Sequence, residues 1–335
     1  MIKLSKQASL IVLFLSIVLI SLFFGFRDVT VGYDSYVYAI NFSQYENKYY
    51  DFEPFFVLIS NLIRSFTNNY SIYFTILCGL IFSNYFYLNS LIYKEIKPIR
   101  GQFIILLAFM MSSTWILTIS TNAIRQGIAL SFLYIFLWLF VRKKYFLSII
   151  FLILSIFSHN SIYLIFLTLI LLLIKKENVF FSIVLILSVF YPLGINELLI
   201  LSFSEITGLD IYNQVKNYEL DAEAWVGFQP FFYIYTLFWF FLFLFFYKIY
   251  FNNTNYFNLL KIFSILMLVY FIFGFGGYSN RYAFFVWAFL PIIQAYTVHM
   301  FILKYSNLNK YFILIAIFSF FFVSSLAMIF NLGYI

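Results

Sequence analysis

The sequence predicts an all-α protein, a polytopic integral membrane helical bundle of about 10–12 transmembrane helices. Three observations lead there. Hydrophobic residues make up 64% of the 335 positions and charged residues only 10%. Apolar runs long enough to cross a hydrocarbon core ~30 Å thick recur from end to end. The basic residues stand mostly in short clusters flanking those runs, as topology signals do. Length and the lack of a long polar stretch leave room for a single integral membrane domain over 1–335.

Each element follows from its apolar run. Lys3 and Lys6 precede an apolar stretch over 8–26 that lacks a small-residue cleavage site, which predicts a retained first span. Further helices are predicted at 71–93, 101–120, 122–141, 178–196, 230–250, 261–277, 282–303 and 311–330. The stretch 145–174 has basic residues at both ends, Arg142–Lys144 and Lys175–Lys176, which favours a return to the same face. Two short helices meeting at Ser158-His159-Asn160 would do that; a single tilted helix with a buried histidine is the competing arrangement. Segment 54–66 is short and contains Asn61 and Arg64, so it is expected as an interfacial or re-entrant helix on the outer side.

With the N-terminus inside, 14 of the 20 basic residues fall at cytoplasmic helix ends, and 11 of the 13 acids fall outside. Two sizeable outer loops result, 27–53 and 197–229. The net charge of +7 therefore reports topology, and no nucleic-acid partner is expected. The lone cysteine, Cys78, lies in an apolar segment, so neither a disulfide nor a Cys-based metal site is available. No metal site and no cofactor are indicated.

Four polar clusters stand out. The first outer loop reads Gly32-Tyr33-Asp34-Ser35-Tyr36 and ends in Glu53-Pro54. Interfacial tyrosine is ordinary, and Glu53 before a proline could simply cap a helix. Equally, aromatic rings stack on sugar faces, and a carboxylate can serve as general base. Next comes Thr121-Asn122-Ala123-Ile124-Arg125-Gln126. Thr121 or Asn122 can cap the following helix, which puts Arg125 in its first turn. A cation gains nothing from that end of the helix dipole, so Arg125 more plausibly serves a partner. Its fork geometry suits phosphate, although an arginine can also snorkel to headgroups.

His159 sits between Ser158 and Asn160 at a predicted helix break, where imidazole could titrate. A lone histidine is otherwise a hydrogen-bonded structural residue. Last, Gly274-Phe275-Gly276-Gly277-Tyr278-Ser279-Asn280-Arg281 closes one helix and opens another with a second outward arginine. Two such arginines converging would suit a diphosphate.

In these residues the chain resembles the EpsG family of exopolysaccharide-synthesis membrane proteins, within the broader Wzy-like O-antigen and capsule polymerases. The resemblance lies in Gly32-Tyr33-Asp34 with Tyr36, Glu53-Pro54, Asn122-Ala123-Ile124-Arg125-Gln126, His159 after a short helix, and Asn280-Arg281-Tyr282. It implies a GT-C-like polymerase architecture in the bacterial cytoplasmic membrane. It also implies a metal-independent glycosyltransferase joining polyprenyl-diphosphate-linked oligosaccharide units at the outer face. On that reading Arg125 and Arg281 hold the diphosphate, with Gln126 and Asn122 orienting. Asp34, or alternatively His159 or Glu53, is the base, and Tyr33, Tyr36 and Tyr278 bind sugar. The lipid bilayer, a chain-length regulator and a flippase are the partners implied. A repeat-unit flippase is the main rival and would want polar residues along a central path. A membrane acyltransferase is the other, and it would need cytoplasmic access to its histidine.

Overall fold

The computed structural model describes residues 6–43, 52–94, 102–216 and 226–304. Its described elements are α-helices and short 3-10 segments, and they fall into two compact units, 1–162 with 291–335, and 163–290. Five described helices are long and apolar enough to cross a membrane, or up to seven if each of two bent pairs is one span. The chain is thus an all-α polytopic membrane protein. The helix predicted at 311–330 lies outside the described residues.

The first unit is built around α7 (Ile124–Val141). Its residues are apolar on all sides and most are buried, as expected of a helix surrounded by others. It packs on α4 (Tyr70–Tyr93), α6 (Thr114–Thr121) and, most extensively, α8 (Tyr145–Ser158). Between apolar helices in lipid, close packing and interhelical hydrogen bonds replace the hydrophobic effect. Both occur here. Asn84 Nδ2 donates to Ser131 Oγ at 2.8 Å, and Ser155 Oγ donates to the Ala129 carbonyl at 2.7 Å. A Cβ on Gly127 would lie 2.5 Å from the Ile119 carbonyl oxygen, so α6 approaches α7 as closely as only glycine permits. Helix α1 (Lys6–Gly25) crosses α4 in the same manner, with Gly25 against the backbone of Thr75.

The expected outer loop 27–53 is partly helical: α2 (Tyr33–Ser43) occupies it. Tyr38 and Phe42, one turn apart, are both buried. Phe42 stacks on Tyr73 at 4.1 Å, and Tyr38 packs against Phe52 and Phe56. Segment 54–66 forms α3 (Pro54–Arg64), which buries Phe56, Ser60 and Ile63 and leaves Leu58 and Leu62 exposed.

Two apolar runs expected as single helices are bent in the structure. The run 101–120 breaks into α5 (Gln102–Met111) and α6, inclined by 74°, where the Ser113 hydroxyl caps Ile116. The run 178–196 stops at α10 (Glu177–Phe190), and after Gly194, at φ +69, the chain turns by 94° into α11 (Ile195–Thr207). Helix α11 and the short α12 (Ile211–Lys216) therefore occupy the start of the expected loop 197–229. Apolarity sets the length of a run and says nothing of its straightness. The break expected at Ser158-His159-Asn160 is present: α8 ends there and a 3-10/α segment, Asn160–Leu173, follows with α9 (Phe166–Leu169) within it.

In the second unit α14 (Thr254–Phe273) plays the part of α7, surrounded by α9, α10, α11, α13 (Pro230–Ile249) and α15 (Ser279–Trp287). It starts earlier than predicted because Asn253 caps Tyr256 and draws the polar stretch 254–258 into the helix. Lys261 is buried within it, and its ammonium donates to the Leu172 and Ile174 carbonyls at the end of the 3-10 segment. A buried cation is tolerable there because it satisfies orphaned carbonyls at a helix C-terminus. Helix α16 (Leu290–Lys304) follows α15 along the chain.

Candidate functional site: a charged cluster at four helix ends

The first unit gathers most of the residues singled out from sequence, and it does so through helix ends. Gly32 has φ +92, and a Cβ there would fall 2.8 Å from the Thr121 carbonyl oxygen. Glycine is required on both counts. The close approach sets the start of α2 against the α6–α7 junction. There the Asp34 N–H donates to Asn122 Oδ1 at 2.8 Å. Thr121 or Asn122 was expected to cap the helix that follows them. The structure corrects this: Ala123 is the N-cap of α7 without a side-chain bond, and Asn122 caps α2 across a sequence gap of 88. Ser35 Oγ also reaches the Thr121 carbonyl, at 2.5 Å.

Arg27 ties the same junction together. Its guanidinium donates to the carbonyls of Phe24 and Thr121 and to Ser35 Oγ, and it lies 4.4 Å over the Phe74 ring. Arg64 does similar work at the other end of α2, donating to the Asn41 and Phe42 carbonyls. Sequence reasoning gave Arg27 no role and used Arg64 only as a mark of an interfacial segment. Each is a cation at a helix C-terminus, where orphan carbonyls await donors, and that is the signal that could have found them.

Arg125 emerges from the first turn of α7 onto this scaffold. Its Nη1 donates to Glu53 Oε2 at 2.7 Å, its Nε points to the Tyr38 hydroxyl at 3.5 Å, and its guanidinium lies 4.4 Å over the Phe52 ring. Glu53 precedes Pro54 at the start of α3 yet makes no cap bond to its own helix. The capping role open to it from sequence is therefore not the one it takes. Its second oxygen, Oε1, accepts from the Asn160 N–H at 3.3 Å. The Glu53 side chain is 7% exposed and that of Arg125 23%, so the pair is closed on the carboxylate side and partly open on the guanidinium side. Burial pushes the Glu53 carboxyl upward. His159 and the Arg125 charge oppose this, and with the hydrogen bonds they hold it below the usual carboxylate range.

His159 ends α8 in extended backbone. The Ser161 N–H donates to its Nδ1 at 3.1 Å, and Ser161 Oγ lies 2.8 Å away. The imidazole thus caps the segment that follows it. An N–H donated to Nδ1 places the proton of the neutral ring on Nε2. The break in the apolar stretch 145–174 is what brings His159 and Asn160 to Glu53.

Of the other candidates, Gln126 is buried on α7, while Asp34 is half-buried and Tyr36 exposed on α2. Tyr33 opens α2, and its side chain lies outside the described residues. Arg281 and Tyr278 belong to the second unit. There Arg281 is exposed in the first turn of α15, 4.6 Å over the ring of Tyr278. Tyr278 is the N-cap and holds a left-handed backbone conformation, φ +53, rare for a residue with a side chain. Just before it, a Cβ on Gly276 would lie 2.4 Å from the Val215 carbonyl oxygen, so α12 sits directly on the glycine turn. Beneath, the Ser279 hydroxyl and Asn280 Oδ1 are buried without hydrogen-bond partners.

Fold and cluster together define a multi-pass membrane protein that collects ionisable side chains where its helices begin and end. A family model for the EpsG family matches residues 10–334, nearly the whole chain, and the protein belongs to that family. No curated protein and no solved structure matches it.

Proposed function

We propose that this chain is a metal-independent membrane glycosyltransferase, a polysaccharide polymerase that joins polyprenyl-diphosphate-linked oligosaccharide units at the outer face of a bacterial cytoplasmic membrane, its N-terminus inside. Membership of the EpsG family supports a polysaccharide polymerase-like role. The observation that carries the chemistry is the Glu53–Arg125–His159 cluster. It sets a partly open guanidinium beside a carboxylate and an imidazole.

In the reaction, an acceptor hydroxyl attacks the anomeric carbon of the donor glycan. The bond from that carbon to the diphosphate oxygen breaks, and the electron pair leaves on the diphosphate. Arg125, positioned by Phe52 and Tyr38, would stabilise that developing charge. The hydroxyl proton passes to a base, for which Glu53 and His159 are placed at the cluster and Asp34 stands at the start of α2. Arg281, packed on Tyr278, keeps its assignment to phosphate. Tyr36, exposed on α2, is assigned to sugar, as are Tyr33 and Tyr278; Asn122 and Gln126 support the turn that presents Arg125. The lipid-linked donor and acceptor are the substrates, and a flippase and a chain-length regulator are the expected partners.

The test is the glycan-length profile of a strain lacking the gene, complemented with wild type or Arg125→Ala at matched membrane abundance. Single lipid-linked units outside the membrane, extended to a ladder by wild type only, are expected. Accumulation of units on the cytoplasmic side would make the protein a transporter instead.

A further inference from the structure

We infer that Glu53 and the donor diphosphate compete for Arg125, and that this exchange arms Glu53 as the proton acceptor only when the donor is bound. The inference rests on Arg125 being the diphosphate site, and it adds how that site is switched.

The geometry has three parts. Glu53 Oε2 occupies Nη1 of Arg125 at 2.7 Å, so a phosphate reaching the guanidinium meets a group already held by a carboxylate. The guanidinium is the more exposed partner, so an anion can approach it without first opening the α3 side. It also offers five donors in a fixed fork, which a diphosphate can use more fully than one carboxylate oxygen does. Finally, Glu53 has a second anchor that does not depend on Arg125, the Asn160 N–H at Oε1. Displaced from Arg125, the carboxylate therefore stays at the cluster beside His159.

The electrostatic consequence follows. While paired, Glu53 is a weak base because its negative charge is stabilised by its neighbours. Once a phosphate takes the guanidinium, Glu53 loses a cation and gains an anion nearby, in a poorly solvated place. Both changes raise its proton affinity. The acceptor hydroxyl then gives its proton to Glu53, its oxygen bonds to the anomeric carbon, and the electron pair of the broken bond leaves on the diphosphate at Arg125. Departure of the lipid diphosphate lets Glu53 re-pair with Arg125 and release the proton. A base that exists only when a donor is bound does not activate water at an empty site.

Exchange makes Glu53 a competitor of the anion, so removing its charge should have effects of opposite sign on binding and turnover. The probe is farnesyl diphosphate, titrated calorimetrically into the purified full chain in detergent. Glu53→Gln is expected to bind it roughly tenfold tighter than wild type while failing to restore the glycan ladder. Equal or weaker binding by Glu53→Gln, with wild type still binding through Arg125, overturns the exchange and leaves the phosphate site standing. If wild type and Arg125→Ala are equally unable to bind, the phosphate reading falls and the exchange with it. A second measurement needs no variant. A hydrophobic carbodiimide should label Glu53 of the wild type faster when farnesyl diphosphate is present, and unchanged or slower labelling refutes the exchange.

Discussion

Replacing Arg125 with lysine keeps the positive charge and removes what is particular to the guanidinium. Lysine can still reach Glu53, so the carboxylate is not left buried and alone. That separates this change from Arg125→Ala, which strands Glu53 and should cost about 3–5 kcal/mol of stability. What lysine loses is planar contact with Phe52, now 4.4 Å from the guanidinium carbon, and the Nε–H directed at the Tyr38 hydroxyl. A partly buried cation–π contact of this kind is worth about 1 kcal/mol. A side-chain hydrogen bond contributes about 1 kcal/mol more. If both serve to aim the fork at phosphate, their loss costs about 2 kcal/mol at the transition state. At 1.4 kcal/mol per factor of ten, that is about 30-fold in rate. The assay is the rate of ladder formation in the complemented deletion strain, normalised to membrane abundance. A ladder formed at the wild-type rate by Arg125→Lys would refute fork recognition, because a point charge would then suffice.

Two further outcomes test the scaffold and the pair. Gly32→Ala places a Cβ at φ +92 and 2.8 Å from the Thr121 carbonyl. It should lower the melting temperature in detergent, with a left-handed strain of about 1–2 kcal/mol before any clash is counted; a melting temperature equal to wild type would show that α2 does not rely on this approach. For pH, the Glu53 carboxyl is held below its ordinary value of about 4.3. A group depressed on folding stabilises above its unfolded pKa, and that stability is lost as pH falls through the folded one. The stability difference between wild type and Glu53→Gln should therefore persist from pH 7 down to the ordinary glutamate range and shrink only below it. A difference already gone at pH 6 would contradict the pairing.

Much of this protein is legible in its sequence because the features concerned are local. An apolar run of some twenty residues has few choices in lipid other than a helix, since every backbone N–H and C=O must be satisfied within it. The same economy of charge made Arg125, His159 and Arg281 conspicuous, and it made the break at His159 readable from basic clusters on both sides. Helix α2 was hidden because its stretch is polar, and its cap, Asn122, comes from another part of the chain. The partners of Arg27 and Arg64 were not legible because the carbonyls they satisfy belong to helix ends whose places the run lengths do not specify.

By itself, then, the sequence determined the class of protein and its family, and which residue types could perform chemistry near helix ends. Only the tertiary structure decided which of them meet. Glu53 could cap its own helix or face a partner with equal local plausibility. The choice went to Arg125, 72 positions away, because Gly32 and the Asn122 cap hold the start of α2 against that of α7, and Tyr38 on α2 packs on Phe52 beside Glu53. Close approach between helices depends on the shapes of both surfaces at once, and no single stretch of sequence contains that information.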